Sequence, residues 1–176
     1  GGTAADILIT SDLAAALDKS DAVINFSTGD CVEATRMAVE RGCSAVIGTT
    51  ALKPEEKKAL ADLAAQGGRI VLAPNMSVGV NLLFHLVAEA AKILGDDYDI
   101  EITEMHHNQK KDAPSGTAVR LAEVICDATG RNYDKDVVHG REGIVGARTR
   151  REIGMHAIRG GDVVGDHTVI FMGTGE

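Results

Sequence analysis

Apolar and polar residues change their spacing along the chain in a way that predicts two differently built halves. In the first half, short β-branched runs at Ile7–Thr10, Ala22–Phe26, Ala45–Thr49 and Ile70–Ala73 read as strands. Between them, Asp30–Arg41 and Pro54–Gln66 carry apolar residues at helical spacing. Pro54 followed by Glu55 and Glu56 suits a helix N-terminus, where a fixed φ and negative charge are both favourable. Gly42 and Gly67-Gly68 punctuate the helix ends. Strand and helix in alternation predict β-α-β units, a parallel sheet and a three-layer arrangement. Ligands of such sheets sit beyond the carboxyl ends of the strands, which singles out the loops Ser27–Asp30, Gly48–Ala51 and Pro74–Ser77.

From Ser77 the pattern changes. Val78–Leu94 reads as one longer apolar helix ended by Gly95, and Asp99–His106 alternates apolar and polar residues as a half-buried strand does. A helix is expected from about Pro114 to Thr129, then about twenty loop-like residues, too many for an inert connection. Glu152–Arg159 and Val163–Met172 read as two strands, and Gly160-Gly161 between them predicts a hairpin. The expected fold is α/β: an incomplete Rossmann-like parallel sheet over residues 1–76, then an α+β domain with a mixed sheet over 77–176 that serves substrate binding and oligomerisation.

Composition narrows the function classes. Hydrophobic residues make up 44% and charged residues 25% of the 176, which is globular usage. A formal net charge of −8 argues against nucleic acid and anionic membrane as partners, since both demand basic surfaces. No run approaches the roughly 18 apolar residues expected of a membrane span. Cys31, Cys43 and Cys126 are odd in number and widely spaced, which suggests neither disulfides nor zinc and fits a reducing cytoplasm. No G-x-G-x-x-G turn follows a strand, so the cradle for a dinucleotide pyrophosphate is missing, and the opening Gly1-Gly2-Thr3 looks like the inside of a longer protein.

The chemistry concentrates in Glu101–Ala118, EITEMHHNQKKDAPSGTA. Histidine delivers protons near neutrality, so His106 or His107 is the natural general acid. Were the strand to persist, the two rings would point to opposite faces. Lys110 and Lys111 bring positive charge, and Ser115-Gly116-Thr117 places backbone N–H groups and a hydroxyl at a helix N-terminus, which together form an anion site. Gly116 admits a ligand close to the backbone, and Pro114 suits the first helical turn. Taken singly, each feature has a plainer reading: polar decoration of a strand edge, a solvated turn, an ordinary helix cap. A metal site is not expected, because adjacent strand residues diverge and no third ligand lies at motif spacing.

The same run resembles the signature of the 4-hydroxy-tetrahydrodipicolinate reductase family, in which E-x-H-H is followed by K and then D-A-P-S-G-T-A. VIGTT at Val46–Thr50, APNMSVGVNLL at Ala73–Leu83 and RGGDVVGDHTVIFMG at Arg159–Gly173 look like further family segments in the expected order. The resemblance implies an enzyme of diaminopimelate and lysine biosynthesis. It would pass a hydride from NADH or NADPH to a small cyclic dicarboxylate, and would be a cytoplasmic homotetramer built through the sheet of the second domain. It further implies that His106 is the proton donor and Lys110 the second catalytic residue. His107, Gly116 and Thr117, with Ser115 at the same helix start, would hold the substrate carboxylates. Gly48, Thr49, Thr50, Ala73, Pro74, Asn75 and Met76 would line the nicotinamide. Asn25 and Gly29 depart from the family's usual Asp and Pro. Without the family's N-terminal glycine-rich loop and its last strand and helix, the chain is expected to be a fragment that is inactive as it stands. Two rival readings are another Rossmann-type dehydrogenase and a noncatalytic dicarboxylate-binding module.

Overall fold

The computed structural model describes residues 9–27, 29–50 and 52–175. They divide into two compact units, the first ending at Pro74 and the second beginning at Asn75. In the first, a short helix α1 (Leu13–Leu17) precedes β1 (Ala22–Asn25), α2 (Cys31–Glu40), β2 (Ser44–Ile47), α3 (Pro54–Ala65) and β3 (Ile70–Leu72). The expected strand Ile7–Thr10 falls partly outside the described residues, and Ile9 and Thr10 are irregular. The three strands form a parallel sheet in the order β1-β2-β3. Each helix start has a polar partner for its orphan N–H groups: Asp30 Oδ1 accepts from Glu33 N at 2.9 Å, and Glu56 Oε2 accepts from Lys53 N at 2.7 Å.

Ala45 and Ile47 of β2 are buried together with Cys31 of α2 and Leu60 of α3, so both helices cover the same face of the sheet. The opposite row, Ile24, Val46 and Val71 in register, has Ile24 72% exposed. Among the described residues this unit has two layers, not the expected three. Two successive crossovers in one direction place both helices on one side, and a third layer needs a strand order that reverses.

The second unit contains α4 (Val78–Leu94), a 3-10 turn (Gly95–Asp97), β4 (Asp99–His106), α5 (Gly116–Thr129), a one-turn helix α6 (Tyr133–Asp136), β5 (Val137–His139), β6 (Ile153–Arg159) and β7 (Asp166–Met172). Phe84, Val87 and Ala91 of α4 and Leu121, Ala122 and Ile125 of α5 pack with Ile100, Ile102, Ile153 and Met155 of the sheet. Contrary to the sequence expectation, the stretch Val78–Asp97 is apolar and long enough to cross a membrane by length and composition. One face of that helix lies in the core just described, which accounts for part of its apolar character.

The sheet is mixed, in the order β5-β6-β4-β7. β4 is parallel to β6 and antiparallel to β7. The expected hairpin between the last two strands does not form, because β4 lies between them. The connection 160–165 must therefore span two strand spacings, roughly 10 Å, which a two-residue turn cannot do. It crosses the carboxyl end of β4 instead. There Gly160 N donates to His106 O at 3.0 Å and Asn108 N to Gly161 O at 3.1 Å.

Candidate active site

Side chains alternate along β4, so Ile100, Ile102, Glu104 and His106 share the face that α5 covers. The first two enter the core, and Glu104 is as buried as they are. A carboxylate there must find donors, and four reach it. Arg159 Nη1 and Nη2 donate to Oε2 and Oε1 at 2.8 and 2.7 Å, Ser115 N donates to Oε1 at 3.1 Å, and His106 Nδ1 lies 2.6 Å from Oε2. Burial alone would raise the pKa of Glu104. The donors from Arg159, His106 and Ser115 outweigh it and hold the carboxyl below its ordinary value.

His106, the last residue of β4, meets the edge of the His167 ring with centroids 5.1 Å apart. Its Nε2 faces Gly165, where an added Cβ would stand 2.8 Å away. His167 Nε2 lies 2.8 Å from Ser115 Oγ, which also accepts from Ala118 N at 3.2 Å and so caps α5. Burial, then the neighbouring His106, pushes the pKa of His167 down. Ser115 is therefore turned inward: its N–H serves Glu104 and its hydroxyl serves the helix and His167.

Gly116 and Thr117 open α5, where intrahelical partners for the backbone N–H groups do not exist. Thr117 Oγ1 accepts from Asn75 Nδ2 at 3.2 Å, which brings together one residue expected at the cofactor and one expected at the substrate. Lys110 Nζ pairs with Asp112 Oδ1 at 2.9 Å. Asp112 O in turn accepts from Arg159 Nη2 at 2.8 Å, so the loop after β4 is tied to β6 through the same arginine that grips Glu104. His107 lies half-buried just beyond the strand, with its carbonyl accepting from Lys110 N at 3.2 Å.

In the first unit, Gly48, Thr49 and Thr50 line a cavity of about 180 Å³ at the carboxyl ends of β1 and β2, together with Phe26, Ser27 and Leu52. The ring of Phe26 fills the space a side chain at position 48 would need, with a Cβ there only 1.9 Å from its Cε1. Thr49 Oγ1 donates to Ser27 O at 2.9 Å. Ala73, Pro74, Asn75 and Met76 follow β3 and do not line this cavity. A larger cavity of about 600 Å³, lined in part by Asp96, Asp99 and Arg148, adjoins the opposite end of β4, roughly 23 Å from His106 by strand rise.

Sequence reasoning missed Glu104, Arg159, His167 and Gly165 as members of this cluster. Glu104 carried a usable signal: a carboxylate in the inward row of an alternating strand calls for a buried partner. The other three lie within the family-like run Arg159–Gly173, but the assumed hairpin paired β6 and β7 with each other and so gave them no place beside His106.

The family model described as Dihydrodipicolinate reductase, N-terminus, matches residues 1–76, and that described as Dihydrodipicolinate reductase, C-terminus, matches residues 79–176. The 4-hydroxy-tetrahydrodipicolinate reductase of Syntrophotalea carbinolica is 53% identical over 172 residues, 97% of this chain and 64% of that protein. That of Geobacter metallireducens is 50% identical over 177 residues, 100% of this chain and 66% of that protein. A solved structure described as dipicolinate-bound dihydrodipicolinate reductase from Paenisporosarcina sp. TG-14 is 29% identical, with a TM-score of 0.63, over 90% of this chain and 60% of that one. A dehydrogenase (MviM) from Clostridium difficile, 12% identical with a TM-score of 0.52, shares the fold alone. The chain thus spans about two thirds of the length of the curated relatives it matches. The expectation of a fragment without either end of the family is corrected to this extent: models of both its N-terminal and its C-terminal regions match, over residues 1–76 and 79–176. With models for both regions matching in order along it, the chain belongs to the dihydrodipicolinate reductase family.

Proposed function

We propose that this protein reduces 4-hydroxy-tetrahydrodipicolinate to tetrahydrodipicolinate with NADH or NADPH, in diaminopimelate and lysine biosynthesis. The observation that carries the reading is the junction of β4 and α5. An imidazole braced by a buried carboxylate stands there beside a helix N-terminus, where the N–H groups of Gly116 and Thr117 have no intrahelical partner. A proton donor beside an anion site is what reduction of an unsaturated cyclic dicarboxylate requires.

Gly48, Thr49 and Thr50 are the residues that would hold the nicotinamide. Their cavity of about 180 Å³ is of the size that accepts a single ring, compared with about 150 Å³ for a benzene-sized hole, and two threonines are among its lining residues. Bound there, the cofactor supplies the hydride. Ala73, Pro74, Asn75 and Met76 are assigned to the same end of the cofactor on family resemblance. His106 protonates the carbon left electron-rich by reduction, and Lys110, the second catalytic residue, supports that charge. His107, Ser115, Gly116 and Thr117 bind the carboxylates, with Ser115 acting chiefly by fixing the helix start. Charge-assisted hydrogen bonds make such contacts roughly twice as strong as neutral ones.

The open face of the second sheet, where Ile158 and Ile170 remain exposed, supports a homotetramer assembled through that sheet. Three unpaired, buried cysteines support a cytoplasmic location. The test is oxidation of reduced nicotinamide by the purified protein in the presence of freshly generated substrate, with pyridine-2,6-dicarboxylate as inhibitor. Turnover with competitive inhibition is expected, and pyridine-2-carboxylate should inhibit clearly less well. Substrate-independent oxidation, or equal inhibition by the two acids, would refute the reading.

A further inference from the structure

We propose that Glu104 is the positioning residue of the proton donor: its carboxylate holds His106 in the tautomer that keeps Nδ1 protonated and reserves Nε2 for proton delivery. This rests on the assignment of His106 made above and deepens it.

A carboxylate offers about four acceptor directions, and all four are engaged here. Oε1 takes Arg159 Nη2 and Ser115 N, while Oε2 takes Arg159 Nη1 and His106 Nδ1. Its side chain is fully buried, so water does not compete. An ionised carboxylate only accepts, hence the hydrogen in the 2.6 Å contact belongs to Nδ1. The neutral ring is thereby the Nδ1–H form, opposite to the Nε2–H form that predominates in free histidine. In the protonated ring, the Nε2 proton is the one not tied to the carboxylate.

The groups around the ring agree with this division. His167 meets the ring from β7, Arg159 grips the same carboxylate from β6, and the charges of Asp166 and Lys110 bear on His167. Burial and the neighbouring His106 push the pKa of His167 down, and its Nε2 is engaged with Ser115 Oγ, so the one carboxylate contact in the histidine pair is that of His106 Nδ1. In the transfer step the His106 Nε2–H bond breaks and a C–H bond forms on the substrate. The electron pair stays on Nε2, leaving the neutral Nδ1–H ring, and water resupplies the proton.

A merely structural ion pair between β4 and β6 would be indifferent to the tautomer, which makes the tautomer the readout. Long-range ¹H–¹⁵N spectra of the whole chain, with the His106 signal assigned by its loss in His106→Gln, should show a protonated Nδ1 and a bare Nε2 once the ring is neutral. Glu104→Gln, whose amide can donate as well as accept, should lose that preference, and Glu104→Asp should keep part of it. In turnover, Glu104→Gln should lower kcat about 10- to 100-fold with KM nearly unchanged, the cost of misplacing a reacting group rather than of losing a binding contact. A wild-type Nε2–H ring, an unchanged tautomer in Glu104→Gln, or an unchanged kcat would overturn the proposal. Should Glu104→Gln fail to fold, the wild-type spectrum decides alone: Nδ1–H supports the proposal and Nε2–H overturns it. A wild type with the Nδ1–H ring but no turnover would refute the reductase reading while leaving the Glu104–His106 pairing in place.

Discussion

Replacing Gly165 by alanine tests the site through the close approach of the 160–165 connection to His106. The new methyl carbon would stand 2.8 Å from His106 Nε2 and 3.2 Å from Cδ2, several tenths of an ångström inside ordinary contact. His106 has little room to give way. Its Nδ1 is held at 2.6 Å by Glu104, and the edge of His167 borders the ring. The ring or the 160–165 connection must therefore shift by about half an ångström or more, at an overpacking cost of about 1–3 kcal/mol. Since a displacement of about 1 Å can cost a hundredfold in rate, kcat should fall about 10- to 100-fold with KM little changed. Gly160→Ala is the control: it lies in the same connection, an added Cβ meets nothing within 4 Å, and its hydrogen bond to His106 O uses the backbone. Steady-state kinetics of both variants, with melting temperatures to confirm folding, decide the matter. A Gly165→Ala protein that keeps kcat within threefold of wild type, or a Gly160→Ala protein equally impaired, would refute the reasoning.

Lys110→Ala and Thr117→Val should each weaken binding of pyridine-2,6-dicarboxylate by about ten- to a hundredfold in calorimetric titration, the cost of about 1.5–3 kcal/mol for truncating a charged or buried partner; indifference to both would reduce the Pro-Ser-Gly-Thr turn to a helix cap. Stability should depend on Glu101, which burial alone would push up in pKa but which donors from Arg141, His156 and Arg148 bring down to about 2 from an ordinary 4.5. A depressed carboxylate stabilises the fold fully above its unfolded value, and that contribution disappears as pH falls through about 2. Glu101→Gln should therefore cost about 1–2 kcal/mol at pH 7, allowing for solvent screening, and flatten the acid limb of a denaturant-melt series, whereas an unchanged acid limb would contradict the assignment.

The elements that could be read from the chain are those whose pattern is local and long. Val78–Leu94 shows helical spacing over seventeen residues and Asp99–His106 alternates over eight, and both form with the expected bounds. α1, α6 and β5 have five, four and three residues, less than two turns or two full alternations, and periodicity cannot register them. Strand pairing is the other blind spot. Nothing local in Ile153–Arg159 or Asp166–Met172 says that β4 will lie between them, and the two glycines at the turn fit a hairpin as well as a crossing.

The candidate site divides along the same line. His106, Lys110 and Ser115–Thr117 lie within one short run, and the geometry of the β4–α5 junction gathers them. Arg159 stands 55 residues from Glu104, and His167 stands 52 from Ser115. They meet only because the sheet order brings β6 and β7 to either side of β4. The braces of the proton donor were therefore invisible until the topology was known, although the donor itself was not.

The central claim is that His106 protonates the reduced substrate, and steady-state kinetics of His106→Gln test it most directly. Loss of a positioned general acid predicts a kcat about 10²- to 10⁴-fold lower, with a much smaller effect on substrate affinity, in a protein that melts like the wild type. A folded variant that retains more than about a tenth of wild-type kcat would contradict the account, since that is well short of the smallest loss expected for a general acid.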